Sequence, residues 1–165
     1  MTKTFWKFPH SLLFVSALTF AISDMSYAER LCVHGHSLAV EHPDITSVHK
    51  RADGAHIRPR DGSDKNWVHY SIPVGANKAY SSIRIKYKAG YCETLDRVYV
   101  YDGAYRFVAA TDPYANDPNA NDDYLYVRFN PKRIWNSIGV SIRVASPWDQ
   151  CPDGVFSIYS VCAFE

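Results

Sequence analysis

The sequence predicts an all-β fold: a single antiparallel β-sandwich of jelly-roll type over residues 29–165, behind a cleavable signal peptide. Three observations carry this. Apolar residues recur with period two along nearly every segment after Ala28, the pattern of strands with one buried face. Turn signals separate these runs at Asp53-Gly54, Asp61-Gly62, Asp102-Gly103, Asp112-Pro113 and Pro152-Asp153-Gly154. No segment after residue 28 sustains a helical period, so about nine short strands follow one another without crossover helices. The aromatic content, 12 Tyr, 8 Phe and 4 Trp, suits pleated surfaces.

The leader comes first. Met1–Pro9 carries Lys3 and Lys7 and no acid, Ser11–Ile22 is uncharged and apolar, and Ser26-Tyr27-Ala28 sets small residues at −3 and −1 of a cleavage point. That is a secretory signal peptide, too short for a membrane span of about 20 apolar residues. The expected location is secreted or periplasmic. Without Lys3, Lys7 and Asp24 the basic and acidic residues balance at 16 each, and no basic run stands out. Nucleic acid and anionic membrane are therefore not expected partners. The remaining 137 residues suit one domain with a real core.

The strands follow. Val68, Tyr70, Ile72 and Val74 alternate with Trp67, His69, Ser71 and Pro73, and Ile83, Ile85 and Tyr87 alternate with Arg84, Lys86 and Lys88. Asp102-Gly103 between Val98–Tyr101 and Tyr105–Ala109 reads as a hairpin. Asp112–Asp123 reads as an exposed loop. Leu125, Val127 and Phe129 alternate with Tyr124, Tyr126 and Arg128, and Ile138, Val140, Ile142 and Val144 alternate with Gly139, Ser141, Arg143 and Ala145.

Four cysteines in an exported chain imply two disulfides. If Gly154–Phe164 is one extended strand, Cys151 and Cys162 stand roughly 30 Å apart, beyond the roughly 7 Å that a disulfide spans. Of the two remaining pairings, Cys32–Cys162 with Cys92–Cys151 is expected, because antiparallel first and last strands set Cys32 beside Cys162. No C-x-x-C pair supports a thiolate metal site.

Three constellations carry chemistry. Six histidines fall between His34 and His69, and His34-Gly35-His36 would point both rings to one face of an unbroken strand. A metal-binding protein or metalloenzyme using His34, His36 and His69, with zinc as the ion, is one reading; hydrogen-bonded structural histidines are its rival. Asp117, Asn119, Asn121 and Asp123 recur every two residues as calcium loops present oxygens, but the EF-hand glycine and glutamate are replaced by Asp122 and Arg128. Aromatics exceed what one sandwich core encloses, and along Tyr124–Phe129 both faces carry rings. Exposed rings beside polar groups suit sugars, whose C–H faces stack while their hydroxyls hydrogen-bond.

The expected function is a non-catalytic binding module for a glycan or other surface polymer, with Tyr124, Tyr126, Tyr101 and Trp67 as ligand-binding residues. A structural or partner-interaction protein is the further alternative. No G-x-S-x-G elbow or free-cysteine nucleophile supports catalysis, and no cofactor is required.

The chain also resembles a family of small bacterial domains of unknown function marked by H-G-x-S, V-E-x-P, W-x-H-x-x-I-P and V-x-V-Y-D-G. These elements read here as His34-Gly35-His36-Ser37, Val40-Glu41-His42-Pro43, Trp67–Pro73 and Val98–Gly103. The resemblance implies a single β-sandwich and no particular activity. It makes His34 and His69 the better candidates for a shared role, and leaves His36 outside its pattern.

Overall fold

The structure is a computed structural model that describes residues 30–59, 65–75, 77–90, 93–111, 123–145 and 154–165. Two antiparallel sheets pack face to face. The strands are β1 (Arg30–His34), β2 (Ala39–Val40), β3 (Thr46–Lys50), β4 (Ala55–Pro59), β5 (Lys65–Pro73), β6 (Ala79–Lys88), β7 (Thr94–Asp102), β8 (Tyr105–Thr111), β9 (Asp123–Arg133), β10 (Ser137–Ala145) and β11 (Phe156–Phe164). Sheet A runs β3-β4-β11-β6-β9, with β1 also paired to β11. Sheet B runs β2-β5-β10-β7-β8.

The alternation read from the sequence sets the faces. Val68, Tyr70, Ile72, Ile83, Ile85, Ile138, Val140 and Ile142 are buried between the sheets. Their neighbours in each strand point to the outer faces, since successive side chains alternate. Leu125 and Val127 face inward while Tyr124 and Tyr126 are 48% and 45% exposed. Phe107 of β8 meets Phe129 of β9 edge to face, with ring centroids 5.2 Å apart, and joins the two sheets at one side. The expected hairpin forms between β7 and β8, and Gly103 takes the left-handed φ of +57° that its turn requires.

Four short strands precede β5, so the described strands outnumber the roughly nine expected from pattern alone. The run from His34 to Val40 is not one strand. A 3₁₀ turn at Gly35–Ser37 carries the chain from sheet A to sheet B. Gly35 is required there, because a Cβ would sit 1.7 Å from the Ile158 carbonyl oxygen. The turn is fastened from below: the buried Tyr70 hydroxyl donates to the Gly35 carbonyl at 2.9 Å. Burial also holds that hydroxyl well above the usual phenol range, so it stays a donor.

Cys32 and Cys162 form a disulfide, directly opposite each other in the β1–β11 ladder with Cα atoms 4.0 Å apart. Cys92 and Cys151 lie outside the described residues, as do residues 1–29, where the signal peptide is expected, and Asp117, Asn119 and Asn121. Asp123 opens β9. Among the described residues no helix is long and apolar enough to cross a membrane.

Candidate binding site

The outer face of sheet B gathers the aromatic and polar side chains most suited to a ligand. Its middle strand, β10, presents Gly139, Ser141 and Arg143 outward, and β5 and β7 flank it. Ser141 sits in register between His69 of β5 and Tyr99 of β7, and Gly139 between Ser71 and Tyr101. Small residues at the centre leave room for large ones to lean inward from both sides. Trp67 and Tyr99 meet across β10 with ring centroids 4.8 Å apart and planes inclined by 34°. Tyr101 stands edge-on to Tyr99 at 6.5 Å. Glu41, Trp67, His69, Tyr99, Tyr101 and Ser141 line an open hollow of about 230 Å³.

Charged neighbours fix the rings. The Arg143 guanidinium lies 5.6 Å from the Trp67 centroid and that of Arg106 4.5 Å from the Tyr99 centroid. Arg143 is itself held by Asp96, its Nε donating to Asp96 Oδ1 at 2.7 Å and its second nitrogen to Oδ2. That carboxylate raises the Arg143 pKa above its ordinary value. A bulge between Arg143 and Val144 in the β10–β7 ladder gives Asp96 its place. At the start of β5, buried Asn66 accepts from the Trp67 amide at 2.7 Å and donates to the His42 carbonyl at 2.8 Å and Thr46 Oγ1 at 2.6 Å. The Glu41 amide donates to the Trp67 carbonyl at 3.0 Å, which brings Glu41 beside the ring.

The residues expected from sequence divide between two faces. Trp67 and Tyr101 belong to the hollow. Tyr124 and Tyr126 lie on β9, on the outer face of sheet A, so the four do not form one site. The sequence expectation omitted Tyr99, Ser141 and Glu41. Tyr99 shares the outward parity of Tyr101, and that signal was available. The partnership of Ser141 with the rings is not local in sequence and emerges only from register.

The histidines also separate. His34 and His36 stack with centroids 4.2 Å apart, and the His36 amide donates to His34 Nδ1 at 3.3 Å. His69 instead shares a 2.8 Å hydrogen bond between its Nδ1 and Ser141 Oγ. Among the described residues no three His, Cys, Asp or Glu side chains group as metal ligands, so His34, His36 and His69 do not converge. On the far edge of sheet A, Ser157 Oγ lies 2.9 Å from His56 Nδ1, and His56 Nε2 lies 3.2 Å from Asp53 Oδ1. This has the order of a nucleophile relay, but Ser157, at the start of β11, is only 6% exposed, which leaves its hydroxyl little access to a substrate carbonyl. It fixes the imidazole.

No family model and no curated protein matches the chain. Solved structures do. The C-terminal family 6 carbohydrate-binding module of a laminarinase from Zobellia galactanivorans is 11% identical, with a TM-score of 0.51 over 83% of this chain and 100% of that one. A family 35 carbohydrate-binding module from Clostridium thermocellum is 7% identical, with a TM-score of 0.53 over 84% of this chain and 99% of that one. The insecticidal crystal protein Cry2Aa matches at 13% identity and a TM-score of 0.53 over 82% of this chain, which spans 21% of that protein. At these identities the likeness shows the fold.

Proposed function

We propose that this chain is an exported, non-catalytic carbohydrate-binding module whose ligand lies across the outer face of sheet B. Trp67 and Tyr99 are the stacking platform, Tyr101 its flank, and Glu41, His69 and Ser141 the partners for sugar hydroxyls. The observation that carries this is the Trp67–Tyr99 pair, 4.8 Å between centroids, opening onto a hollow rimmed by those polar groups. Guanidinium contacts hold both rings before any ligand arrives, which lowers the ordering cost of binding. Among the described residues the hollow contains one carboxylate, Glu41, whereas glycoside hydrolysis ordinarily uses two acids flanking the bond. Two of the similar structures are carbohydrate-binding modules.

A glycan array with the disulfide-bonded protein, followed by calorimetry on the best ligand, tests the reading. Trp67→Ala or Tyr99→Ala should weaken binding about 30-fold, close to 2 kcal/mol, as expected for a central aromatic anchor. Tyr124→Ala with Tyr126→Ala should leave that affinity within about threefold, a residual of the size seen at peripheral contacts. No binding anywhere on the array, or a loss that follows the Tyr124 and Tyr126 rings, removes the proposal.

A further inference from the structure

The outer face of sheet A has a different chemistry. Basic residues that are scattered along the sequence are collected into rows by the strand register. One row reads His49, His56, Ser157 and Lys88 across β3, β4, β11 and β6. The next reads His34, Ser160, Lys86 and Tyr124, and the one after it Cys32, Cys162, Arg84 and Tyr126. Arg30 and Arg128 close the last row around Phe164 and Ser82. None of these positions is Asp or Glu. At the β3–β4 edge the face deepens into an open hollow of about 390 Å³ lined by His49, Arg51, His56, Arg58 and Val155. Asp53 stands beside this lining, hydrogen-bonded to His56.

We propose that this face is a second binding surface, specific for an anionic polysaccharide, whose sulfate or carboxylate groups meet the basic rows and one of which seats in the hollow. Lys88, Lys86 and Arg84 repeat about every 7 Å along β6, a spacing that engages successive charges of a polymer rather than a single ion. The rings make a sugar polymer the fitting backbone. Arg84 lies 5.2 Å from the Tyr124 centroid and 5.1 Å from that of Phe164, and Lys86 lies 5.8 Å and 5.3 Å from those of Tyr124 and Tyr159. These contacts splay the cations over aromatic surface, so sugar C–H faces and charged substituents find their partners side by side. The proposal does not depend on the sheet B site, because it rests on a separate face.

Retention on immobilised sulfated polysaccharide, polyuronate and neutral glucan tests it, with a DNA duplex and anionic phospholipid vesicles as competitors. The protein should bind a charged polysaccharide and not the glucan, with affinity falling about tenfold as salt screens the contacts between 50 and 500 mM. Binding to the sulfated or to the carboxylated polymer alone supports the proposal and identifies the anion. Arg51→Glu with Lys88→Glu should weaken binding at least tenfold. Lys65→Glu with Arg97→Glu, on sheet B, changes net charge equally and should leave it within twofold, which separates the face from overall charge. Equal loss in both double variants, tighter binding of DNA or vesicles, or loss on Trp67→Ala would each overturn it. Circular dichroism of each variant confirms that the sheets persist.

Discussion

The two outer faces of this sandwich are built on the same pleat and differ in chemistry because of what one interior strand of each carries. In sheet B, β10 offers Gly139 and Ser141, so Trp67 and Tyr99 lean together and Tyr101 spreads over the glycine. In sheet A, β6 offers Arg84, Lys86 and Lys88, so the rings stand apart with a cation between them. Small central residues make a ring platform; long cationic ones make a charged surface with aromatic dividers. The charges differ correspondingly. Arg143 in sheet B is paired with Asp96 on the neighbouring strand, while the named rows of sheet A hold no Asp or Glu among the described residues.

The covalent frame also distinguishes the faces, and its removal has the largest expected effect. The Cys32–Cys162 bridge joins residues 130 apart in sequence and lies on the outer face of sheet A. Cys32→Ser with Cys162→Ser should lower stability by about 2–5 kcal/mol in urea unfolding, since the bridge closes a long loop. If the two faces are separate sites, anion binding should weaken as β1 loosens while glycan affinity on sheet B holds. A double variant as stable as the parent would show that β1 is held by its ladder alone.

Two glycines sharpen the comparison. A methyl group at Gly35 would collide with the Ile158 backbone at 1.7 Å, and backbone cannot step aside. Gly35→Ala should therefore destabilise by about 1–3 kcal/mol, an overpacking cost. The atoms nearest a Cβ at Gly139 belong to the Tyr101 side chain, its Cβ at 3.3 Å and its ring at 3.7 Å. Gly139→Val should displace that ring and lower glycan affinity several-fold, with an unfolding midpoint close to the parent's. Equal stability losses at both sites would mean that Tyr101 is as rigidly built in as the β11 backbone.

What the sequence disclosed follows from which signals are local. Alternation along single strands gave the inward faces of β5, β6, β9 and β10, and antiparallel first and last strands anticipated Cys32–Cys162. Exposure of Tyr124 and Tyr126 followed from rings on both faces of one strand. Which sheet a strand joins is not a local property. That is why Trp67 and Tyr101 could be grouped with Tyr124 and Tyr126, and why His34 could be grouped with His69. Composition likewise showed no basic run, although register assembles His49, His56, Lys86 and Lys88 on one face from three segments of the chain. Gly35 shows the reverse limit: the glycine was visible, but its need became clear only with Ile158 against it.

The smallest expected effect lies at the rim of sheet A. Hydrogen bonding to His56 holds the Asp53 carboxyl below its ordinary value, with nearby Arg51 adding to the shift. A carboxyl whose folded pKa is depressed stabilises the fold above its unfolded value, near 3.9, and that contribution fades as pH falls through the folded value. Because Asp53 is exposed, solvent screens the pair and the effect on stability is slight. The measurement is the difference in melting temperature between the parent and Asp53→Asn. It should be small and positive at pH 5, shrink below about pH 4, and vanish once Asp53 is protonated in both states. A difference that persisted undiminished at pH 2 would mean that Asp53 acts through turn geometry and not through its charge. In that case this acid beside the His49–His56 hollow would have no electrostatic part in setting the character of this face.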